Sequence, residues 1–506
     1  MWEIVVRHVY SNNKQSSTVV EPKAAIPNAW GSIYNNNPYD HSRVETQCRC
    51  ARNGREVAIV PPPSKPPTLR CFERSRICNC TEPQVQCSMG AIWSYAGRYS
   101  VLPLPVSGNY GAGCADLMIA DKHDGDTGVF MRLYYPTDKN DPNRQSISSE
   151  HPLWLSRTEY VNGLATYMKQ SAGRLQFVFN WIIGETRTAA LWQQTLARSS
   201  HPISNGSNHS IKDTSFPVVI FSHGLSGCRH FYSTFCASLA SCGFIVGAIE
   251  HSDYSACWTY KLNPDPISGR LKERQFQIRL VDKDDKRMFK IRNQQLNKRV
   301  SECVKALHVL EEINLGQLHV DNVVMGKDMD WLQFKGRLNL SRAFVAGHSF
   351  GGATAVAATA FSTDFQAAIV LDGWLYPLDS GHYERATQPT LFLNAGRWQY
   401  PENLERMGKL RNVAEKPMFT LKDAEHQTFT DFPFLVNSFI GRRMKLHGET
   451  PPETAMEAIV DITVSFLNRE QDSEAALTQL VQEKYQTFIV DGFPSDIMNS
   501  KPGQLT

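Results

Sequence analysis

One pentapeptide in this 506-residue chain has the residue types and spacing of a nucleophilic serine: Gly347-His348-Ser349-Phe350-Gly351, its only G-x-S-x-G. Glycines at both ends let a strand fold sharply back into a helix, because the two backbones come closer than side chains allow. The flanks agree with such a turn. Ala343-Phe-Val-Ala346 reads as a short apolar strand, and Gly351-Gly352 followed by Ala-Thr-Ala-Val-Ala-Ala as a small-residue helix. The turn would lift the Ser349 hydroxyl above a sheet at the positive end of a helix. The chemistry is acyl transfer: the hydroxyl attacks a carbonyl once a base takes its proton and an acid orients the base.

In α/β-hydrolases the acid and then the base follow the nucleophile along the chain. Three histidines follow Ser349: His382, His426 and His447. His426 stands between the strand-like PMFTLKD and the helical TFTDFPFLVNSF, in a loop at a strand's carboxyl end. His382 precedes the final strands and His447 lies in a basic stretch, so order and position select His426. The acid stays open on these grounds. Asp372 ends QAAIVLD, the strand directly after the nucleophile's helix; Glu402 is the first carboxylate after PTLFLNAG, the more usual location. Asp379, Glu384 and Asp423 are less well placed. An oxyanion also needs donors, and FPVVIFS (216–222) leads into His223-Gly-Leu-Ser-Gly227. There the N–H of Leu225 can converge with that of Phe350, the residue after the serine. His223 precedes the nucleophile and is assigned to stabilising this turn.

Elements able to position these residues alternate along the chain. Apolar runs at 128–136, 216–222, 244–250, 342–347, 366–373, 389–396 and 417–423 read as strands buried on both faces. Helical patterns at 297–313, 351–361 and 452–470 lie between or after them. The class is α/β: a mainly parallel sheet flanked by helices in one catalytic domain, the α/β-hydrolase arrangement. The segment 270–300 is densely charged and is expected to be an exposed insertion. Residues 471–506 read as a peripheral tail. With 53 Lys+Arg against 50 Asp+Glu, a net charge of +3, there is no electrostatic case for a nucleic-acid partner.

SHGLSG, GFIVGAIEHSDYSA, GHSFGGAT, LDGWLYPL and EHQTFTDF follow one another in an order and spacing that resemble the platelet-activating factor acetylhydrolase family. That family is the calcium-independent phospholipase A2 type with an α/β-hydrolase fold. The resemblance covers about residues 95–470 and extends to Gly113-Cys-Ala-Asp-Leu-Met118, Phe130-Met-Arg-Leu-Tyr-Tyr-Pro136 and Pro152-Leu-Trp154. It implies Ser349 as nucleophile, Asp372 as the acid in preference to Glu402, His426 as base, and Leu225 and Phe350 as oxyanion donors. The implied reaction removes an acetyl or other short or oxidised acyl group from the sn-2 position of a phospholipid, with no metal or cofactor. Two readings compete with it: a general carboxylesterase using the same triad, and a catalytically inactive binding protein of the same fold. Family members meet lipid surfaces, for which 175–183 is a candidate helix, with Met444 and Leu446 beside Arg442-Arg443 as a second patch. The opposing expectation for 175–183 is a core helix. Ser171-Ala-Gly173 stands where one family branch carries a Trp-Leu contact, so individual surface residues do not transfer.

The first 94 residues carry Cys48, Cys50, Cys71, Cys78, Cys80 and Cys87 and a VPPPSKPPT tract. They read as a poorly structured extension, with metal ligation or disulfides as the alternative. The uncharged stretches 231–249 and 343–363 both divide at glycines, so neither predicts a membrane span. Without a visible leader the default location is cytoplasmic with reduced thiols; a secreted or membrane-associated chain stays open. Sequons at Asn205, Asn208 and Asn339 would matter only in the secreted case.

Overall fold

Continuous apolar strands need cover on both faces, and the chain supplies it with helices on either side of one sheet. The computed structural model describes residues 99–120, 128–139, 151–198, 215–265, 267–468 and 474–493. The Cys-containing extension and the sequons Asn205 and Asn208 lie outside the described residues. Six strands are parallel neighbours in the order β5 (Ile245–Ile249), β4 (Phe216–Ser222), β9 (Leu338–His348), β10 (Phe365–Leu371), β11 (Thr390–Ala395) and β12 (Met418–Leu421). β1 (Gly111–Ile119) and β2 (Phe130–Thr137) extend the sheet antiparallel beyond β5. The short strands β3 (Leu191–Trp192) and β8 (Val323–Met325) pair with β1. Among the described residues this is an eleven-stranded sheet. Helix α3 (Ser233–Ser241) packs with α7 (Pro452–Asn468), and α4 (Met288–Leu315) with α5 (Phe350–Phe361), each pair resting on the sheet. The strand order is that of an α/β-hydrolase.

Register determines where chemistry can gather. Ser222 lies opposite Gly347, His348 opposite Leu371, Leu371 opposite Leu393 and Ala395 opposite Leu421. The parallel strands therefore end together, and the residues just past β4, β9, β10 and β12 leave the sheet at one edge. That edge holds His223 to Leu225, Ser349, Asp372 and the loop to His426.

Two segments differ from the sequence reading. Residues 270–300 are not an insertion apart from the fold. β7 (Leu271–Gln277) pairs antiparallel with β6 (Trp258–Pro264), and residue 288 begins the 28-residue α4. The charge density hid both elements: Phe276 is the only buried residue of β7, while Ile291, Leu296, Val300 and Cys303 form an inward stripe among the lysines and arginines of α4. Residues 474–493 contribute structure as well. β13 (Ile489–Asp491) adds antiparallel to β12, with the Gly492 N–H donating to the Met418 carbonyl at 2.7 Å. Among the described residues no helix is long and apolar enough to cross a membrane.

Candidate active site

The turn between β9 and α5 has the predicted sharpness. Ser349 sits at φ 56° and ψ −116°, a left-handed conformation that costs a non-glycine residue about 1–3 kcal/mol. A Cβ at Gly347 would stand 2.1 Å from the Gly351 carbonyl oxygen, and one at Gly351 1.9 Å from that of Ser222. Both obstacles are backbone, which is the physical reason for glycine on either side of Ser349. Phe350 is the first residue of α5, where a backbone N–H has no acceptor within the helix.

Asp372 follows β10 and is wholly buried. Its Oδ1 accepts from the Ala395 N–H at 2.9 Å and from Gln399 Nε2 at 2.8 Å, and its Oδ2 lies 2.6 Å from His426 Nδ1. Three donors on one carboxylate fix it in place. Asn403, in α6 (Pro401–Gly408), donates to the Gly373 carbonyl at 2.7 Å and accepts from the Leu375 N–H, holding the loop after Asp372. Two rings pack against His426: Trp398 stacks on it at 3.9 Å between centroids and His348 lies at 4.4 Å. Ser349 and His426 line one small cavity with Gly224, Leu225, Tyr232 and Phe432.

A relay of hydrogen bonds ties the three loops together, and its direction is determined. The His426 carbonyl can only accept, so His348 Nε2, 3.1 Å away, carries a proton. His348 Nδ1 is then the acceptor for the Tyr232 hydroxyl at 3.0 Å, and that oxygen accepts the Gly224 N–H at 3.0 Å. Burial holds the His348 pKa well below the usual histidine value, so the relay stays neutral.

Burial pushes the Asp372 carboxyl up to about 7 against the opposing pull of the hydrogen bonds from the Ala395 N–H and Gln399. It pushes His426 down to about 3. Because the two side chains share one hydrogen bond, these shifts belong to the pair: it takes its first proton near the upper value and its second near the lower. Either site of that first proton removes the unit's basicity. Hence kcat/KM on a water-soluble ester is expected to rise with unit slope through a midpoint near pH 7 and level off above it. A pH series with one buffer ionic strength checks this, and a plateau already complete at about pH 5 would contradict it.

The other sequence candidates lie apart from this cluster. Glu402 is part of α6, and His382 accepts the Asp379 N–H within a capping turn of the helix Ser380–Arg385. His447 is buried against Gly441. Sequence reading missed Tyr232, Trp398, Gln399 and Asn403. Each is an ordinary residue in an ordinary element, and only the folded backbone brings it to Ser349, Asp372 and His426.

Comparison with known proteins gives the same direction. Residues 97–484 match the sequence profile described as "Platelet-activating factor acetylhydrolase, isoform II". The chain belongs to the platelet-activating factor acetylhydrolase family. Platelet-activating factor acetylhydrolase of Canis lupus familiaris is 32% identical over 364 residues, covering 72% of this chain and 76% of that one. The Gallus gallus protein of the same name is 33% identical over 373 residues, with 72% and 82% covered. A "Putative phospholipase A2" of Schizosaccharomyces pombe is 26% identical over 415 residues, with 72% and 89% covered. The family identifies the chain as a carboxylic ester hydrolase.

Proposed function

We propose that the chain hydrolyses the sn-2 acetyl or short, including oxidised, acyl ester of platelet-activating factor and related phospholipids without calcium. Ser349 is the nucleophile, His426 the base and Asp372 the acid. The observation that carries the triad is the 2.6 Å bond from His426 Nδ1–H to Asp372, which leaves Nε2 unprotonated at the cavity that Ser349 lines. Ser349 Oγ attacks the ester carbonyl while its proton passes to His426 Nε2. The N–H groups of Leu225 and Phe350 receive the negative charge that develops on the carbonyl oxygen. The carbon–oxygen bond to glycerol breaks, and His426 returns the proton to the departing lyso-phospholipid. Water, deprotonated in turn by His426, cleaves the acyl-serine and releases a carboxylate. The cavity of ≈ 20 Å³ has room for little more than a methyl group or one water, which suits a short acyl group.

Release of labelled acetate from an sn-2-acetyl phospholipid, with calcium and with a chelator, tests the reading. Equal release in both is expected. No release by folded protein would overturn the substrate, and a calcium requirement would overturn the metal-free reaction. Equal efficiency on unrelated soluble esters would favour the general carboxylesterase instead.

Contact with a lipid surface belongs to the same reading. α2 (Ala172–Ile182), which packs against α1 (Thr158–Tyr167), has no buried residue. Leu175, Phe179 and Ile182 lean on the core, while Phe177 and Trp181, one turn apart, are 65% and 45% exposed. The helix thus carries apolar residues on two faces, one against the core and one exposed, and is more exposed than a core helix. In the second patch Leu446 is buried, contrary to expectation; Phe439, 72% exposed beside Arg442 and Arg443, presents the apolar surface there. The double change Phe177→Asp/Trp181→Asp is expected to weaken sedimentation with phosphatidylcholine vesicles by at least about tenfold. Turnover of a soluble ester should stay within about twofold of wild type, because neither side chain touches the cavity. Unchanged sedimentation would exclude α2 as the contact.

A further inference from the structure

We propose that Arg299, 76 residues from the oxyanion loop in sequence, is a positioning residue that holds both donors of the oxyanion hole. The proposal deepens the reading above, since it rests on Leu225 and Phe350 being those donors. Arg299 projects from α4, and its side chain is fully buried. Its Nη1 donates to the His223 carbonyl at 2.6 Å and its Nη2 approaches the Gly224 carbonyl at 3.4 Å. The guanidinium carbon also lies over the Phe350 ring, 4.3 Å from its centre. One buried cation therefore touches both the peptide that carries the Leu225 N–H, through the Gly224 carbonyl, and the side chain of Phe350.

The Gly224 carbonyl and the Leu225 N–H belong to a single peptide plane and point in opposite directions across it. Fixing the carbonyl on the Arg299 side aims the N–H toward the cavity. His223 assists from the same side. Its Nε2 accepts the His251 N–H at 3.2 Å, so its proton resides on Nδ1 and donates to the Gly224 carbonyl at 2.8 Å. Burial, with the Arg299 charge as a lesser cause, keeps His223 neutral. This gives His223 the turn-stabilising role its sequence position suggested, in company with an arginine the sequence did not announce.

The orientation of the charge matters as well. Asp253 pairs with Nε at 3.1 Å, and the Ser255 hydroxyl lies 2.9 Å from Nε and 2.6 Å from Nη2. The carboxylate is behind the guanidinium, and the Nη nitrogens face the oxyanion loop. The pair is thus a dipole with its positive end toward the place where negative charge grows in the transition state. Such an arrangement favours the charged intermediate over the neutral ester, and so should act on kcat more than on KM.

The test compares two variants in the full chain. Arg299→Met/Asp253→Asn removes both charges together and leaves no unpaired buried ion, and the amide oxygen that replaces the carboxylate can still accept from Ser255. Arg299→Lys keeps the charge but replaces a planar fork by one point donor. The double variant is expected to lower kcat for an sn-2-acetyl phospholipid about 10²- to 10³-fold, the scale for one lost oxyanion donor, with KM within about twofold. The inhibition constant of a trifluoromethyl ketone, which forms an anionic adduct on the serine, should rise by the same factor. For Arg299→Lys a fall of about tenfold in kcat is expected, again with KM unchanged. Wild-type kcat and wild-type ketone affinity in a folded variant would overturn the proposal, as would a loss expressed only in KM. If the double variant fails to fold, the lysine variant alone decides between these outcomes. Ser349→Ala serves as the control: should it retain activity, the reading of the site fails, whereas an inactive Ser349→Ala beside unaffected Arg299 variants refutes only the role of Arg299.

Discussion

Ser349→Ala is expected to lower kcat for acetate release by about 10⁶-fold, the scale for loss of a triad serine, while leaving the fold and the affinity for phospholipid nearly intact. Alanine must adopt the same left-handed conformation at φ 56° that serine already bears, and both glycines that permit the turn remain. The N–H groups of Leu225 and Phe350 remain too. A residual rate above that of water is therefore expected, because preorganised donors still act on a carbonyl attacked by water. Acetate release in single-turnover conditions checks the loss, and equilibrium binding of a lyso-phospholipid checks that the site persists. A variant that keeps more than about one part in a hundred of the wild-type rate would mean that another group is the nucleophile.

Asp372→Asn carries the second largest effect, about 10⁴-fold in kcat, and its direction follows from counting donors. Two donors, the Ala395 N–H and Gln399 Nε2, converge on Oδ1. The asparagine must keep its oxygen there, since its NH₂ group would otherwise face two donors at once. Its NH₂ then faces His426 Nδ1, which can no longer carry a proton toward it. The imidazole is driven to the opposite tautomer, and Nε2 ceases to be a base. Backbone strain does not obscure the result: Asp372 has φ 45°, a region asparagine enters readily. Thermal midpoints close to wild type with activity lost are the expected pair of measurements. Retained activity would return the acid's role to a different carboxylate.

How far the sequence could be read depends on how local each signal is. The Ser349 turn was legible because its constraints are steric and fall within five residues. His426 was legible from chain order and from its place after a strand. The acid was not decided by local reasoning, because β10 and β11 are adjacent and parallel with Leu371 opposite Leu393, so carboxylates after either strand leave at the same edge. The family resemblance implies Asp372, whose Oδ2 lies 2.6 Å from His426 Nδ1, whereas Glu402 is taken into α6. Charge misled the reading of 270–300, where one face of α4 is buried beneath a polar sequence, two of its arginines included. Tyr232, Trp398 and Arg299 had no periodic or motif signal, since each acts on a partner far away in the chain.

The pairing of β13 with β12 also bears on how the enzyme is made. β12 leads into the loop that carries His426, and until residues 489–491 arrive its outer edge presents unpaired backbone groups along Met418–Leu421. Ser349, Asp372 and His426 all precede residues 489–491 in the chain, so they are synthesised before that edge can be covered. In that interval the growing chain holds an open, apolar strand edge, the feature through which nascent chains pair with one another. β13, the last strand among the described residues, covers that edge once it pairs with β12.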